Sequence, residues 1–298
     1  MIQISHEKPF GTFSLNFWRE YIRNLASLAP HSRLGMWMIS FFRRIALLGH
    51  RTGMAGPLDV TVSAGIKARL YPGSNRCEKR AFAGIHIWDT KERQALIDAL
   101  SNYRCRCKYE RPFVFIDVGA NVGLYTMFVY AAAQNLGQST QLLAIEPDFK
   151  NRDRLIFNLM INGCNALIDS SGVAAEVGTG TLVMDQKNRG EMSVCLEGEG
   201  TPININTLQN IIVENHFHYI DAMKIDIEGY DFQVLKNFLT NAPSDFWPQL
   251  LIVETFNLEG QKIILMLKEY GYVLQCRTNI NAIMIHTTEL ENSGLINV

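Results

Sequence analysis

Five carboxylates stand at or just beyond the ends of four apolar runs in the second half of this chain. They are Asp117 in FVFIDVGAN, Glu146 in QLLAIEP, Asp226 and Glu228 in AMKIDIEG, and Glu254 in QLLIVET. Runs this apolar are expected of parallel strands buried on both faces. An ionised side chain inside such a strand is costly unless it is paired or faces a cleft. In open α/β sheets the ligand crevice lies outside the carboxyl ends of the strands. Acids set there on strand after strand suit a ligand that carries positive charge and hydroxyl donors.

The loop FIDVGANVGLYT sharpens the expectation. A strand enters Gly119-Ala120-Asn121-Val122-Gly123 and leaves into an amphipathic helix. Gly119 permits a tight turn and close backbone approach to a ligand, and Gly123 permits close helix–strand packing. The spacing is GxxxG, whereas a dinucleotide site needs GxGxxG and backbone amides turned to a pyrophosphate. Asp117, inside the last turn of the strand, suits an ammonium instead. Glu146 lies 27 residues beyond Gly119 at the next strand end, where an acid accepts bonds from ribose hydroxyls. S-adenosylmethionine combines a sulfonium, an ammonium and a ribose diol, and it is the expected cofactor. Its expected contacts are Asp117, Gly119, Asn121, Gly123, Glu146 and Asp226.

AMKIDIEGYD is the second motif. If the strand continued to its end, Lys224, Asp226 and Glu228 would share one face, opposite Ile225 and Ile227. That face makes a poor core and a good site wall, with Lys224 deepest and placed to neutralise Asp226 or Asp117. Methyl transfer to a weak nucleophile profits from a positioned base. Candidates are Glu228, Asp226 and Glu254, in that order, with helix capping or loop bracing as the alternative for Glu254. His216 and His218 are two histidines without an evident third ligand, so no metal is expected.

DVGANVGLYT, the Glu146-Pro147 pair and KIDIEGYDFQVLKN together resemble the FkbM family of S-adenosylmethionine-dependent methyltransferases, over roughly Phe113 to Glu254. The family's EGxE pattern is here Glu228-Gly229-Tyr230-Asp231, which keeps the charge with a shorter reach. The resemblance implies O-methylation of a hydroxyl on a sugar, a glycan or a polyketide-type small molecule. Two other readings remain: a non-catalytic methyltransferase-like assembly subunit, and an NAD-dependent oxidoreductase, which the loop spacing opposes.

The elements that must position these residues follow from the patterning. From Phe113 onward strands alternate with helices, the signature of βαβ units. Five parallel strands, a helix and two terminal strands predict an α/β, Rossmann-like class I methyltransferase fold with a mostly parallel seven-stranded sheet. A glycine-rich alternating stretch near Val173–Asp185 reads as a hairpin. Residues 1–105 are expected to form an N-terminal helical and hairpin extension, with a hairpin over Leu58–Leu70, and residues 106–298 the methyltransferase domain. Leu34–Leu48 is interrupted by Arg43 and Arg44 and falls short of the ~20 apolar residues of a spanning helix. It reads as an amphipathic helix, packed on its own domain or in a dimer interface, or touching a membrane or a partner peripherally.

The 298 residues are 47% hydrophobic and 19% charged, as expected of a globular protein. The formal net charge of −1 gives no bulk argument for nucleic acid or an anionic membrane. No tetrapeptide of the kind that grips a flipped base is present, so no nucleic-acid partner is expected. Six scattered cysteines without a CxxC pair, and no signal-peptide layout, point to a cytoplasmic setting.

Overall fold

The computed structural model describes residues 7–27, 29, 32–48, 56–63, 65–84, 88–106, 111–184, 192–195, 200–227, 229–256 and 259–288. They fall into two compact units, one drawn from residues 7–90 and 153–164, the other from residues 91–152, 165–184 and 192–288.

In the first unit, helices α1 (Phe17–Ser27) and α2 (Arg33–Leu47) precede the antiparallel hairpin β1 (Leu58–Ser63) and β2 (Ile66–Leu70), and helix α3 (Arg76–Ala83) follows. The hairpin falls where alternation and the glycine turn place it. Its centre is ionic. Arg69 and Asp59 are both fully buried and paired at 2.7 Å. The guanidinium also donates to the Lys8 and Pro9 carbonyls at 2.9 Å, and it lies over the Phe13 and Phe157 rings. Asp59 accepts from the Gly11 and Phe13 amides. Such a pair is tolerated because further hydrogen bonds to backbone groups offset the cost of burying both charges. A second buried pair joins Glu78 to Arg154 at 2.6 Å.

The second unit begins with helix α4 (Thr90–Arg106) and is built on a seven-stranded sheet. Its elements are β3 (Phe113–Val118), α5 (Leu124–Asn135), β4 (Thr140–Ile145), α6 (Phe149–Ile161, assigned to this unit as far as Arg152) and β5 (Leu167–Asp169). After an inserted sheet come α7 (Leu208–Glu214), β10 (Ala222–Ile225), α8 (Asp231–Asn241), β11 (Leu250–Glu254), α9 (Gly260–Glu269), β12 (Tyr272–Arg277) and β13 (Asn281–His286). The strand order is β12-β13-β11-β10-β3-β4-β5, with β13 antiparallel to both neighbours and the other pairings parallel. This is the Rossmann-like class I methyltransferase fold. Val114, Ile116 and Val118 point to one face, where they join Met223, Ile225, Leu251 and Val253 and helices α7, α8 and α9 in a single core. Phe113, Phe115 and Asp117 take the other face.

The stretch near residues 173–185 is not the hairpin that its alternation suggests, because its strands pair with later segments and not with each other. Strands β6 (Gly172–Val173), β7 (Gly178–Met184), β8 (Met192–Cys195) and β9 (Thr201–Asn206) make a four-stranded sheet of order β6-β9-β7-β8. The sequence pattern shows β7 but not its partners, because β6 is two residues long and β9 is mostly polar.

At the amino end of the sheet, Asp221 receives both terminal nitrogens of Arg111 at 2.8 Å and the Val114 amide at 2.8 Å. The Arg111 guanidinium stacks over Tyr219 at 3.8 Å. This clamp ties β3 to the turn before β10. Asp221→Ala strands a buried N–H as well as the partly solvated arginine, so a loss of about 2–3 kcal/mol is expected in denaturant unfolding. A change below about 0.5 kcal/mol would contradict the assigned role.

Candidate functional site

The carboxyl ends of β3, β4 and β10 meet at the loop that sequence spacing singled out. Gly119 and Ala120 both donate to the Ile145 carbonyl at 3.0 Å, and the Asp226 amide donates to the Val118 carbonyl at 3.1 Å. Gly119 has a φ of +75°, and a Cβ placed there would lie 2.1 Å from the Asp226 carbonyl oxygen. No side chain fits. Asn121 and Gly123 also have positive φ, 53° and 82°, so three residues of five turn the chain sharply from strand into helix.

Asp117 is 1% exposed and neighbours Lys224 in the β3–β10 register. Its Oδ2 accepts from the Thr126 hydroxyl at 2.7 Å and the Thr126 amide at 3.1 Å. Its Oδ1 is buried with no hydrogen-bond partner among the described residues. Burial raises the Asp117 pKa, against the pull of Lys224 and the Thr126 bonds. Lys224, 6% exposed, reaches Asp226 Oδ2 at 3.1 Å and lies 5.3 Å over the Tyr125 ring. The lysine does sit deepest, as the spacing of the motif implied.

Glu146 is 4% exposed. One oxygen accepts from the Asn121 amide at 2.7 Å and the other from the Asp148 amide at 2.9 Å. Each retains a lone pair. Burial pushes its pKa up to about 8, although both N–H bonds pull the other way. Asp148 caps the helix behind it by accepting from the Asn151 amide at 2.9 Å.

The charged motif leaves strand geometry earlier than its alternation suggests. β10 ends at Ile225, and Asp226 and Ile227 lie beyond it. Glu228 lies outside the described residues. The turn that follows is held by Asp231, which sequence reasoning left without a role. It accepts from the Ile227 amide at 3.3 Å and the Gly229 amide at 3.2 Å. Burial, and next the charge of Asp226, push the Asp231 carboxyl up to about 6. Glu254 is half-buried at the end of β11, across from Asn281. Beyond it Thr255 Oγ1 is buried without a partner among the described residues. Glu92 nearby in the chain's pairing accepts from Thr278 and Asn281, each at 2.8 Å. His216 and His218 are exposed on either side of the buried Phe217.

The structure thus brings Asp117, Gly119, Asn121, Glu146, Lys224 and Asp226 into one loop cluster. Thr126 and Tyr125, which hold Asp117 and cover Lys224, were missed. Their signal was modest: a hydroxyl and an aromatic ring in the first turn of the helix after the glycine loop.

A sequence model of the FkbM methyltransferase domain matches residues 117–274, more than half of the chain. The chain belongs to the FkbM methyltransferase family. Its methyl donor is S-adenosylmethionine. No curated protein matches it. Among solved structures it is similar to the methyltransferase FkbM of Methylobacillus flagellatus, at 15% identity and a TM-score of 0.40, with 70% of this chain and 64% of that one covered. It is similar also to precorrin-6y C5,15-methyltransferase of Geobacter metallireducens, at 11% identity and a TM-score of 0.39, covering 65% and 86%. A third is the SAM-dependent methyltransferase of Agrobacterium tumefaciens, at 10% identity and a TM-score of 0.43, covering 76% and 68%. These likenesses are distant, and membership rests on the sequence match.

The FkbM cluster fits its cofactor on its own chemistry. An ammonium, a sulfonium and two hydroxyls need acceptors and negative charge. The loop supplies an orphaned Asp117 oxygen, a Glu146 carboxylate with spare lone pairs, and a glycine where backbone must approach closely.

An acid with a higher pKa folded than unfolded holds its proton more tightly in the native state. The stability of the free protein therefore falls as pH rises from about 4.5 towards about 8. Glu146→Gln is expected to flatten that slope in thermal melts at pH 6 and pH 8, each lost kcal/mol being worth about 2–4 °C. A constant offset should accompany it, because the Gln oxygen can accept only one of the two N–H bonds cleanly. Parallel slopes in wild type and variant would show that Glu146 does not titrate in this range.

Proposed function

We propose that this FkbM methyltransferase methylates a hydroxyl on a sugar, glycan or polyketide-type small molecule, and that Glu228 is the base. The acceptor class rests on the likeness of the motif set to methyltransferases acting on hydroxyls. The single observation that carries the division of labour is the Lys224–Asp226 pair at 3.1 Å, with a third of the Asp226 side chain exposed.

When bound, the cofactor supplies an electrophilic methyl on a sulfonium. The chain's residues have three tasks. In this reading Asp117 accepts from the ammonium, and Glu146 accepts from the ribose diol while its backbone donors fix the carboxylate plane. Gly119 and Asn121 bring backbone against the ligand, and Gly123 sets the helix behind it. The second task is alignment of the acceptor oxygen with the methyl, an effect worth up to about 7–11 kcal/mol. The third is removal of the acceptor proton. Asp226 is committed to Lys224, so its charge is compensated. Glu228 follows two residues later in the sequence and has the longer side chain. Glu254, at the end of the adjacent strand, is assigned to orienting the acceptor. A cytoplasmic setting fits the free thiols of Cys77, Cys164 and Cys276.

Glu228→Gln is expected to lower the rate of methyl transfer to a hydroxylated acceptor about 10²–10⁴-fold. Affinity for S-adenosylhomocysteine should stay within about twofold, since a base contributes to the transition state alone. Loss of cofactor affinity would place Glu228 in the binding wall instead, and an unchanged rate would remove it from the site.

A further inference from the structure

Helix α2 has a satisfied inner face and an unsatisfied outer one. Ile39 is buried against Ala26, Ala29 and Ala83, with Met38 and Phe42 packed around them. On the other side Leu34, Trp37 and Phe41 are exposed, Trp37 to 63%, and Leu48 just past the helix continues the row. Their spacings of three, four and seven residues make one stripe along the helix. Trp37 stacks on Phe41 with centroids 5.4 Å apart. From α1, the helix packed against α2, Phe17 and Trp18 are also exposed, to 76% and 70%. Packing within the unit accounts for the inner face only.

Charge is distributed to match. Residues 1–90 hold twelve Lys and Arg against five Asp and Glu, and the remaining 208 residues hold sixteen against twenty-four. The overall −1 therefore conceals +7 followed by −8. No acid occurs between Glu20 and Asp59. Arg44 falls in the aromatic stripe itself, at the step between Phe41 and Leu48, and it is exposed. Arg43, Arg44 and Arg76 all act on the Lys79 ammonium, whose pKa is lowered by burial and then by these three charges.

We propose that the outer face of α1 and α2 docks on an anionic lipid surface, with its aromatic rings in the interfacial layer and its arginines at the headgroups. Tryptophan and other large rings favour that layer because they are amphipathic and rigid. Each Lys or Arg near an anionic leaflet adds attraction that salt screens. A second copy of the chain is a poorer occupant, since an isologous contact along the stripe would bury Arg44 and its copy together without an acid among the stripe residues. The aliphatic Leu34 and Leu48 have no use on a nucleic-acid backbone. The inference is independent of the acceptor proposed above.

The test is co-sedimentation of the full chain with phosphatidylcholine vesicles, with and without about one third phosphatidylglycerol. Tryptophan quenching by brominated acyl chains is read in parallel. Trp88 is 1% exposed and Trp247 half-buried, so Trp18 and Trp37 dominate that signal. The expected result is at least about tenfold stronger partitioning onto the anionic vesicles, quenching on binding, and loss of both at high salt. Trp37→Ser with Phe41→Ser, and separately Arg44→Glu, should each weaken binding while the thermal melt is kept. All three side chains are exposed, so folding is not at stake. Wild-type protein that neither sediments nor is quenched overturns the proposal. So does a dimer in sedimentation velocity that Trp37→Ser disperses, which would make the stripe an interface between copies. Preference for a mixed-sequence RNA over the vesicles would equally overturn it.

Discussion

The architecture of the site depends on one constraint, the cost of holding negative charge at the end of a buried sheet. Asp117 is shut from water on a central strand, and Lys224 is its neighbour in register on the next. A carboxylate so placed would be neutralised by uptake of a proton or would need partners. Thr126 and Lys224 supply part of what it needs, and one oxygen is left over. Glu146 repeats the arrangement one strand away, with two backbone amides in place of the hydroxyl and the lysine. In the proposed reading, a cationic, hydroxyl-bearing ligand would supply the missing partners of both acids.

The backbone carries the second half of the design. The Val118 carbonyl receives Asp226, and the missing Cβ of Gly119 leaves space for the Asp226 carbonyl. The glycine loop and the turn after β10 are therefore set against each other by main-chain contact rather than by side chains. Asp231 then fixes the turn from below by taking two of its amides. A shorter acid at this position, where the family pattern has Glu, reaches these near amides directly. Its observed contacts in the motif are these two bracing bonds.

Much of this was legible in the sequence. The apolar runs gave the parallel strands, because strands buried on both faces admit few polar residues and the exceptions mark their ends. The GxxxG loop and the acids beyond it marked residues that the structure gathers into one loop cluster. Long-range pairings were not legible. Nothing in the chain announces that Thr126 serves Asp117, that Asp221 gathers Arg111 and Val114, or that Arg69 and Asp59 bury one another. Each is a contact between residues whose local patterning is ordinary. The small sheet of β6 to β9 was half visible for the same reason, its short and polar strands being defined by their partners. Summed charge also conceals the opposite excesses in the two parts of the chain, which cancel to −1.

The central claim is that acids at the strand ends select a cationic adenosyl ligand over a dinucleotide. Isothermal titration of the protein with S-adenosylmethionine, S-adenosylhomocysteine and NAD tests it most directly, with Asp117→Asn as the variant. Asn keeps the shape and the Thr126 hydroxyl contact while removing the charge. The account predicts micromolar binding of both adenosyl ligands, none of NAD, and about a tenfold loss in the variant that is larger for the sulfonium, about 1.4 kcal/mol per tenfold. NAD binding in their place, or adenosyl affinity indifferent to Asp117→Asn, would contradict it.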